Sequence, residues 1–247
     1  KTIQSEFHFQ RPASTSRGIY LSKKVSFIVL YHADDPSVAG IGECSLFPGL
    51  SFDDVKGFRQ KLDQTVERIN QGDLYSDNSL VDWPSINFAM ETAWKDLRAN
   101  GSKIFYPSGF TEGKDSIWIN GLIWMGDKAD MIRQIRQKLN DGFTCLKIKI
   151  GALDFREEIE VLEFIRSQCS AEELEIRVDA NGAFSPKDAL ESLKILSDYH
   201  LHSIEQPIAP GNEQEMARLC ALSPIPVALD EELIGKHNAL VRRKLID

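Results

Sequence analysis

Four short apolar runs, each carrying charge near its end, recur at a nearly constant interval in the second half of the 247-residue chain. They are Cys145-Leu146-Lys147-Ile148-Lys149-Ile150-Gly151, Glu175-Ile176-Arg177-Val178-Asp179-Ala180-Asn181, Ser203-Ile204-Glu205-Gln206-Pro207 and Val227-Ala228-Leu229-Asp230-Glu231. Lys149 to Asp179 is 30 positions, Asp179 to Glu205 is 26, and Glu205 to Asp230 is 25. A (β/α)8 barrel of ~250 residues advances ~31 residues per strand-helix unit, so these are the intervals of consecutive, slightly compact barrel units. Side chains alternate faces along a strand, which puts Leu146, Ile148 and Ile150 on one side and Lys147 and Lys149 on the other. Lysines on one face also suit an edge strand turned to water. The carboxylates ending the next three runs favour a different outcome, in which lysines and acids converge at one mouth.

The rest of the second half alternates in the same way. Strand-like Ile117 to Trp124 precedes a helix from about Asp127 to Leu139, with Gly142 as its stop. Strand 144–150 precedes a helix carrying Phe155, Ile159, Leu162 and Ile165. Strand 175–181 precedes one opened by Ser185 and Pro186, and strand 202–207 precedes one capped by Asn212 with Glu215 three residues on. Strand 226–231 leads into a last helical stretch from about Lys236. This is a parallel α/β run of five units. Five units do not close an eight-stranded barrel, so either the sheet is open or roughly three further units of ~31 residues lie outside this sequence, and the first residue, Lys1, favours the second expectation.

Residues 1–105 read as an α+β unit of their own, and 106–247 as the partial barrel. Val25 to Tyr31 and Val38 to Cys44 suggest a hairpin. Ser51, with Asp54 three residues on, is placed to cap a helix carrying Val55, Phe58, Leu62, Val66 and Ile69. A second helix is predicted from Pro84 or Ser85 to Asn100, with Ile86, Ala89, Ala93 and Leu97 on one face and Gly101 beyond its end. Gly101 to Lys114 reads as the linker. Gly40-Ile41-Gly42-Glu43 is no dinucleotide fingerprint, because Ser45 stands where the third glycine belongs and no βαβ unit follows.

The charged strand ends define a chemistry. Arg177, Asp179 and Asn181 share a face, and Asp179, Glu205 and Asp230 occupy matching ends of three consecutive strands. Three carboxylates do not stay ionised together in a closed pocket without a cation, and an all-oxygen set favours magnesium, with manganese as substitute. A charge of +2 against −3, with Lys147 and Lys149 opposite, leaves a pocket that welcomes a small anionic carboxylate substrate. A free lysine, with pKa near ~10.4, is a poor base at neutral pH. Burial beside Lys147 and a metal would bring Lys149 toward the ~7 to 8 of a general base, with Lys147 and the metal stabilising an enediolate. Taken separately, Asp179-Ala180-Asn181-Gly182 could be only a turn, and Asp230-Glu231-Glu232 only a solvated acidic run.

A formal charge of −8 and a pI near 5.2 argue against nucleic-acid and anionic-membrane partners. No apolar run approaches the ~20 residues of a membrane span, and Lys1 to Gln10 lacks the apolar core of a signal peptide. Cys44, Cys145, Cys169 and Cys220 have no zinc-type spacing and suit reduced thiols, so a cytoplasmic enzyme is expected.

Lys147-x-Lys149, Asp179-Ala180-Asn181, Glu205-Gln206-Pro207 and Asp230-Glu231 resemble the motifs of the enolase superfamily, in its muconate-lactonizing subgroup. The resemblance implies an α+β capping domain on a (β/α)7β barrel. It makes Lys149 the base and then the acid, Lys147 a stabiliser of charge, and Asp179, Glu205 and Asp230 the magnesium ligands, with Arg177 and Asn181 in support. It also implies that loops near Ala13 to Arg17 and Phe47 to Leu50 close over the substrate. Further stretches, Gly40 to Ser51, Pro84-Ser85 with Phe88-Ala89-x-Glu91-x-Ala93, and Ile119 to Gly126, are similar to members that dehydrate a succinyl-bearing hydroxycyclohexadiene carboxylate in menaquinone biosynthesis. Relatives with the same motifs racemise N-acylamino acids or epimerise dipeptides, and a barrel that only binds metal is the non-enzyme alternative. The family also carries a lysine on the sixth strand; Lys244, 14 residues past Asp230, comes too early to be it.

Overall fold

A computed structural model describes residues 1–15, 18–73 and 77–245. The chain divides into two compact units, Lys1–Ile117 and Trp118–Asp247. The division falls later than the 105/106 boundary expected, because the glycine-rich segment after residue 101 is tied back to the first unit. There Lys103 binds the buried carboxylate of Asp96 through its backbone N–H (2.9 Å) and its ammonium, and Lys95 Nζ reaches Tyr106 Oη at 2.5 Å.

The first unit is an antiparallel sheet of β1 (Thr2–Thr15), β2 (Gly18–His32) and β3 (Asp35–Ser45), in that spatial order, with helices α1 (Phe58–Asn70) and α2 (Pro84–Arg98). The expected hairpin is β2–β3, with Val29 opposite Ile41. Ile28, Leu30, Cys44, Leu62, Ile86, Met90 and Leu97 form its apolar cluster. The strand β1 had no counterpart in the sequence reading: it is an edge strand whose larger apolar residues, Ile3 and Phe7, are exposed. Of the loop expected near Ala13 to Arg17, Ser16 and Arg17 lie outside the described residues.

The predicted start of α1 is wrong. Gly57, at φ 98°, leads into a helix that begins at Phe58, and Val55 is exposed. Ser51 and Asp54 instead close a turn, accepting the N–H groups of Phe47 (2.9 Å) and Gly49 (2.7 Å). Short polar side chains compete for local backbone donors in this way. The helix α2 is capped from a distance: Asp53, buried, accepts both the N–H and the hydroxyl of Ser85 at 2.8 Å.

The second unit is a parallel sheet in the order β4 (Gly121–Ile123), β5 (Cys145–Lys149), β6 (Glu175–Asp179), β7 (Ser203–Glu205), β8 (Val227–Ala228). Helices α3 (Lys128–Asn140), α4 (Phe155–Gln168), α5 (Ala189–Ser197) and α6 (Glu213–Leu222) follow the first four strands in turn, and α7 (Ala239–Lys244) follows β8. All five expected units are present, several shorter than expected. Ile117, Trp118 and Ile119 are exposed and precede β4 rather than belonging to it. Ser185 and Pro186 lie in a turn ahead of α5, and the amide of Asn212 donates to Ala209 O instead of capping α6. Leu146, Ile148, Ile176, Val178 and Ile204 are buried with Met131, Ile135, Leu162, Leu193 and Leu219 of the helices. The strand residues between them therefore turn to the opposite face of the sheet.

Candidate active site

On that opposite face the parallel register sets the charged residues side by side: Lys149 is opposite Asp179, and Asp179 is opposite Glu205. Lys147 and Lys149 leave β5 on the same side and both reach Oδ2 of Asp179, at 3.0 and 2.6 Å. The ammonium of Lys147 also reaches Oε2 of Glu205 at 2.6 Å. Asp179 is fully buried, while the two lysines and Glu205 are about four-fifths buried.

These contacts pull the carboxyls in opposite directions. Burial, the largest single influence on Asp179, raises its pKa, but Lys149 and Lys147 together outweigh it and hold the group below the ordinary carboxylate range. Glu205 is pushed up: burial leads and the neighbouring charge of Asp179 adds to it, against the pull of Lys147. For Lys147, burial works against the ammonium form, but Glu205 and Asp179 overcome it and raise the pKa.

Asn181 stands two residues past Asp179 with φ 45°, and its N–H donates to Asp179 Oδ1 at 3.0 Å. Its side-chain oxygen accepts from Lys149 Nζ at 3.0 Å, and its amide nitrogen donates to Oε1 of Glu231 at 2.9 Å. Asn181 thus bridges Lys149 and Glu231. Arg177 is not drawn into the group. It shares the face, but its Nε donates to Glu175 Oε1 at 2.6 Å, at the start of β6.

Asp230 lies past the end of β8 and is exposed. What positions it is Gln206, a motif residue to which the sequence alone gave no role. Gln206 is buried, at φ 40°, and its Oε1 accepts the N–H groups of Asp230 and Glu232, both at 3.1 Å, while its amide donates to Ile208 O at 3.0 Å. One side chain thus brackets the end of β7 to the segment after β8. The signal available was a long polar residue between Glu205 and Pro207, where a strand end needs no amide. Glu158, also buried, performs a similar service for β5, accepting the N–H groups of Gly151, Ala152 and Leu153.

Among the described residues, no group of three or more His, Cys, Asp and Glu side chains is gathered as a metal site. The structure brings Asp179 and Glu205 together through Lys147 and leaves Asp230 apart from them. The chemistry of the donor set still fits a hard divalent cation. Two carboxylates stand in register on adjacent strands and a third follows the next strand, which is an all-oxygen donor set. Lys244 is exposed, in α7, and stands on no strand.

Comparison with known proteins identifies the family of the chain. The family described as "Enolase C-terminal domain-like" matches residues 130–242. An o-succinylbenzoate synthase of Desulfotalea psychrophila is 44% identical over 94% of this chain and 71% of its own length. The crystal structure of MenC from Desulfotalea psychrophila LSv54 superposes with a TM-score of 0.81 at 39% identity, covering 100% of this chain and 74% of that one. The o-succinylbenzoate synthase of Thermosynechococcus elongatus BP-1, solved with magnesium in its active site, shares the fold, with a TM-score of 0.74 at 22% identity over 94% of this chain and 68% of that one. With its parallel sheet, its separate α+β unit and these relatives, the chain belongs to the enolase superfamily.

Proposed function

We propose that the protein is an o-succinylbenzoate synthase, a carbon–oxygen lyase that removes water from 2-succinyl-6-hydroxy-2,4-cyclohexadiene-1-carboxylate. The observation that carries this reading is the 44% identity to an o-succinylbenzoate synthase across 94% of the chain. The site supports it, with Lys149 and Lys147 presented together against Asp179 and Glu205.

Lys149 takes the proton alpha to the ring carboxylate. The electron pair left behind passes through the carboxylate as an enediolate, then re-forms a ring double bond as the C–O bond to the hydroxyl breaks. Lys149 returns its proton to the departing hydroxide, so water leaves and the ring becomes aromatic. Both groups depart from one face, and one base therefore suffices, whereas racemisation needs a second base on the other face. Lys147 places a positive charge beside the developing anion. Magnesium, held by Asp179, Glu205 and Asp230, would supply Lewis-acid stabilisation of the substrate carboxylate when bound. The partner is a small anionic substrate. Among the described residues no helix is long and apolar enough to cross a membrane.

The test follows loss of diene absorbance with magnesium present. Lys149→Ala abolishes product formation while metal still binds. An intact diene, alongside fast deuterium exchange into an N-acylamino acid or dipeptide, would assign the protein to the racemases and epimerases instead.

A further inference from the structure

Glu231 follows Asp230, and one oxygen of its carboxylate is used: Oε1 accepts from the amide of Asn181 at 2.9 Å. The other, Oε2, is buried with no hydrogen-bond partner among the described residues. A carboxylate half satisfied in this way is costly to the fold, so its place calls for a reason other than stability. The reason is found at the far end of Asn181.

A carboxylate can only accept hydrogen bonds and a lysine ammonium can only donate them. Asn181 lies between the two. The carboxylate obliges it to turn its NH2 toward Glu231, which leaves its oxygen facing Lys149 Nζ at 3.0 Å. Lys149 then has two fixed acceptors, Asn181 Oδ1 and Asp179 Oδ2 at 2.6 Å. A tetrahedral nitrogen with two N–H bonds so anchored has its remaining directions set, including that of the lone pair once a proton is lost. We infer that Glu231 is a positioning residue, which fixes the amide of Asn181 and through it aims the basic lone pair of Lys149. The inference deepens the dehydratase reading and rests on it for the role of Lys149. Glu231 acts through Asn181.

Glu231→Gln is the discriminating change, because it keeps the volume but puts an amide that can donate as well as accept opposite Asn181, which is then free to turn its NH2 toward the neutral amine that Lys149 becomes on losing a proton. In the full chain with magnesium, kcat for diene consumption falls by between about tenfold and about a hundredfold, while KM moves less than about twofold. In an Asn181→Ala background the same substitution changes kcat by less than about twofold, since the link is already cut. A second readout needs no turnover. With 15N-labelled lysine, the Nζ–H signal of Lys149 exchanges slowly with water in the parent protein and faster in Glu231→Gln. Glu231→Met, which removes both acceptor oxygens, gives the same increase and serves where the glutamine variant does not fold. Unchanged Lys149 exchange in a folded Glu231 variant overturns the inference, as does an equal loss of kcat with and without Asn181. A parent protein that consumes no diene overturns the dehydratase reading alone, and the exchange measurement still decides for or against Glu231.

Discussion

One oxygen atom, Oδ2 of Asp179, receives both ammonium groups of β5, and the site depends on that meeting. Asp179→Asn leaves two lysines facing each other across a neutral amide, in a place where Asp179 is fully buried. Product formation should disappear, and unfolding in urea should show a loss of about 3–5 kcal/mol, the range for breaking a buried charge pair. A second buried acid gives a pH prediction of definite sign. For Asp96, burial is the largest influence and raises the pKa, but the Lys103 ammonium and the N–H groups of Ile41 and Lys103 outweigh it, so the folded value lies below the ordinary one. A depressed carboxyl contributes stability that is present above the unfolded pKa of about 3.9 and is lost as pH falls through the folded value. Urea midpoints between about pH 6 and about pH 3 should therefore fall more steeply for the parent protein than for Asp96→Asn. Equal slopes would show that folding leaves the titration of Asp96 unshifted, and a shallower fall in the parent that the folded state holds the acid neutral.

At the scale of elements, β3 lies against α2 closely enough that backbone meets backbone. A Cβ on Gly40 would stand 2.0 Å from Ala93 O, and one on Gly42 would stand 1.8 Å from Ala89 O. Gly42→Ala should force strand and helix apart and lower stability by about 3 kcal/mol, seen as a lower melting temperature with intact chemistry in whatever fraction remains folded. These glycines were legible in the sequence only as an incomplete nucleotide motif, because spacing shows that a glycine is present but not what backbone approaches it. The parallel strands were legible for a plainer reason. Buried Leu146, Ile148, Ile176 and Val178 alternate with charged residues that have no other use in a strand, so period and chemistry agree. The start of α1 was misread because Ser51 and Asp54 satisfy a cap pattern and a turn equally well, and only the tertiary path decides between them. Gln206 and Glu231 were legible as motif residues but not in their roles, because their partners, Asp230, Glu232 and Asn181, are 24 to 50 positions away. No local period reports a bond of that span.

At the scale of the whole molecule, two units with separate apolar clusters respond differently to a cation that enters only one of them. The candidate ligands Asp179, Glu205 and Asp230 all belong to Trp118–Asp247. An ion that binds the folded state alone adds RT ln(1 + [L]/Kd), about 2.7 kcal/mol at a hundred times Kd. For a unit of this size that raises the melting temperature by on the order of 10 °C. The expected result is a rise in the transition that belongs to this unit on adding magnesium or manganese, and none with sodium at the same ionic strength. The net charge of −8 makes the sodium control necessary, because any cation relieves general repulsion by screening. Asp179→Asn should abolish the magnesium effect and leave the sodium response as it was. A rise of equal size in Asp179→Asn would place the cation elsewhere and remove these three carboxylates as its ligands.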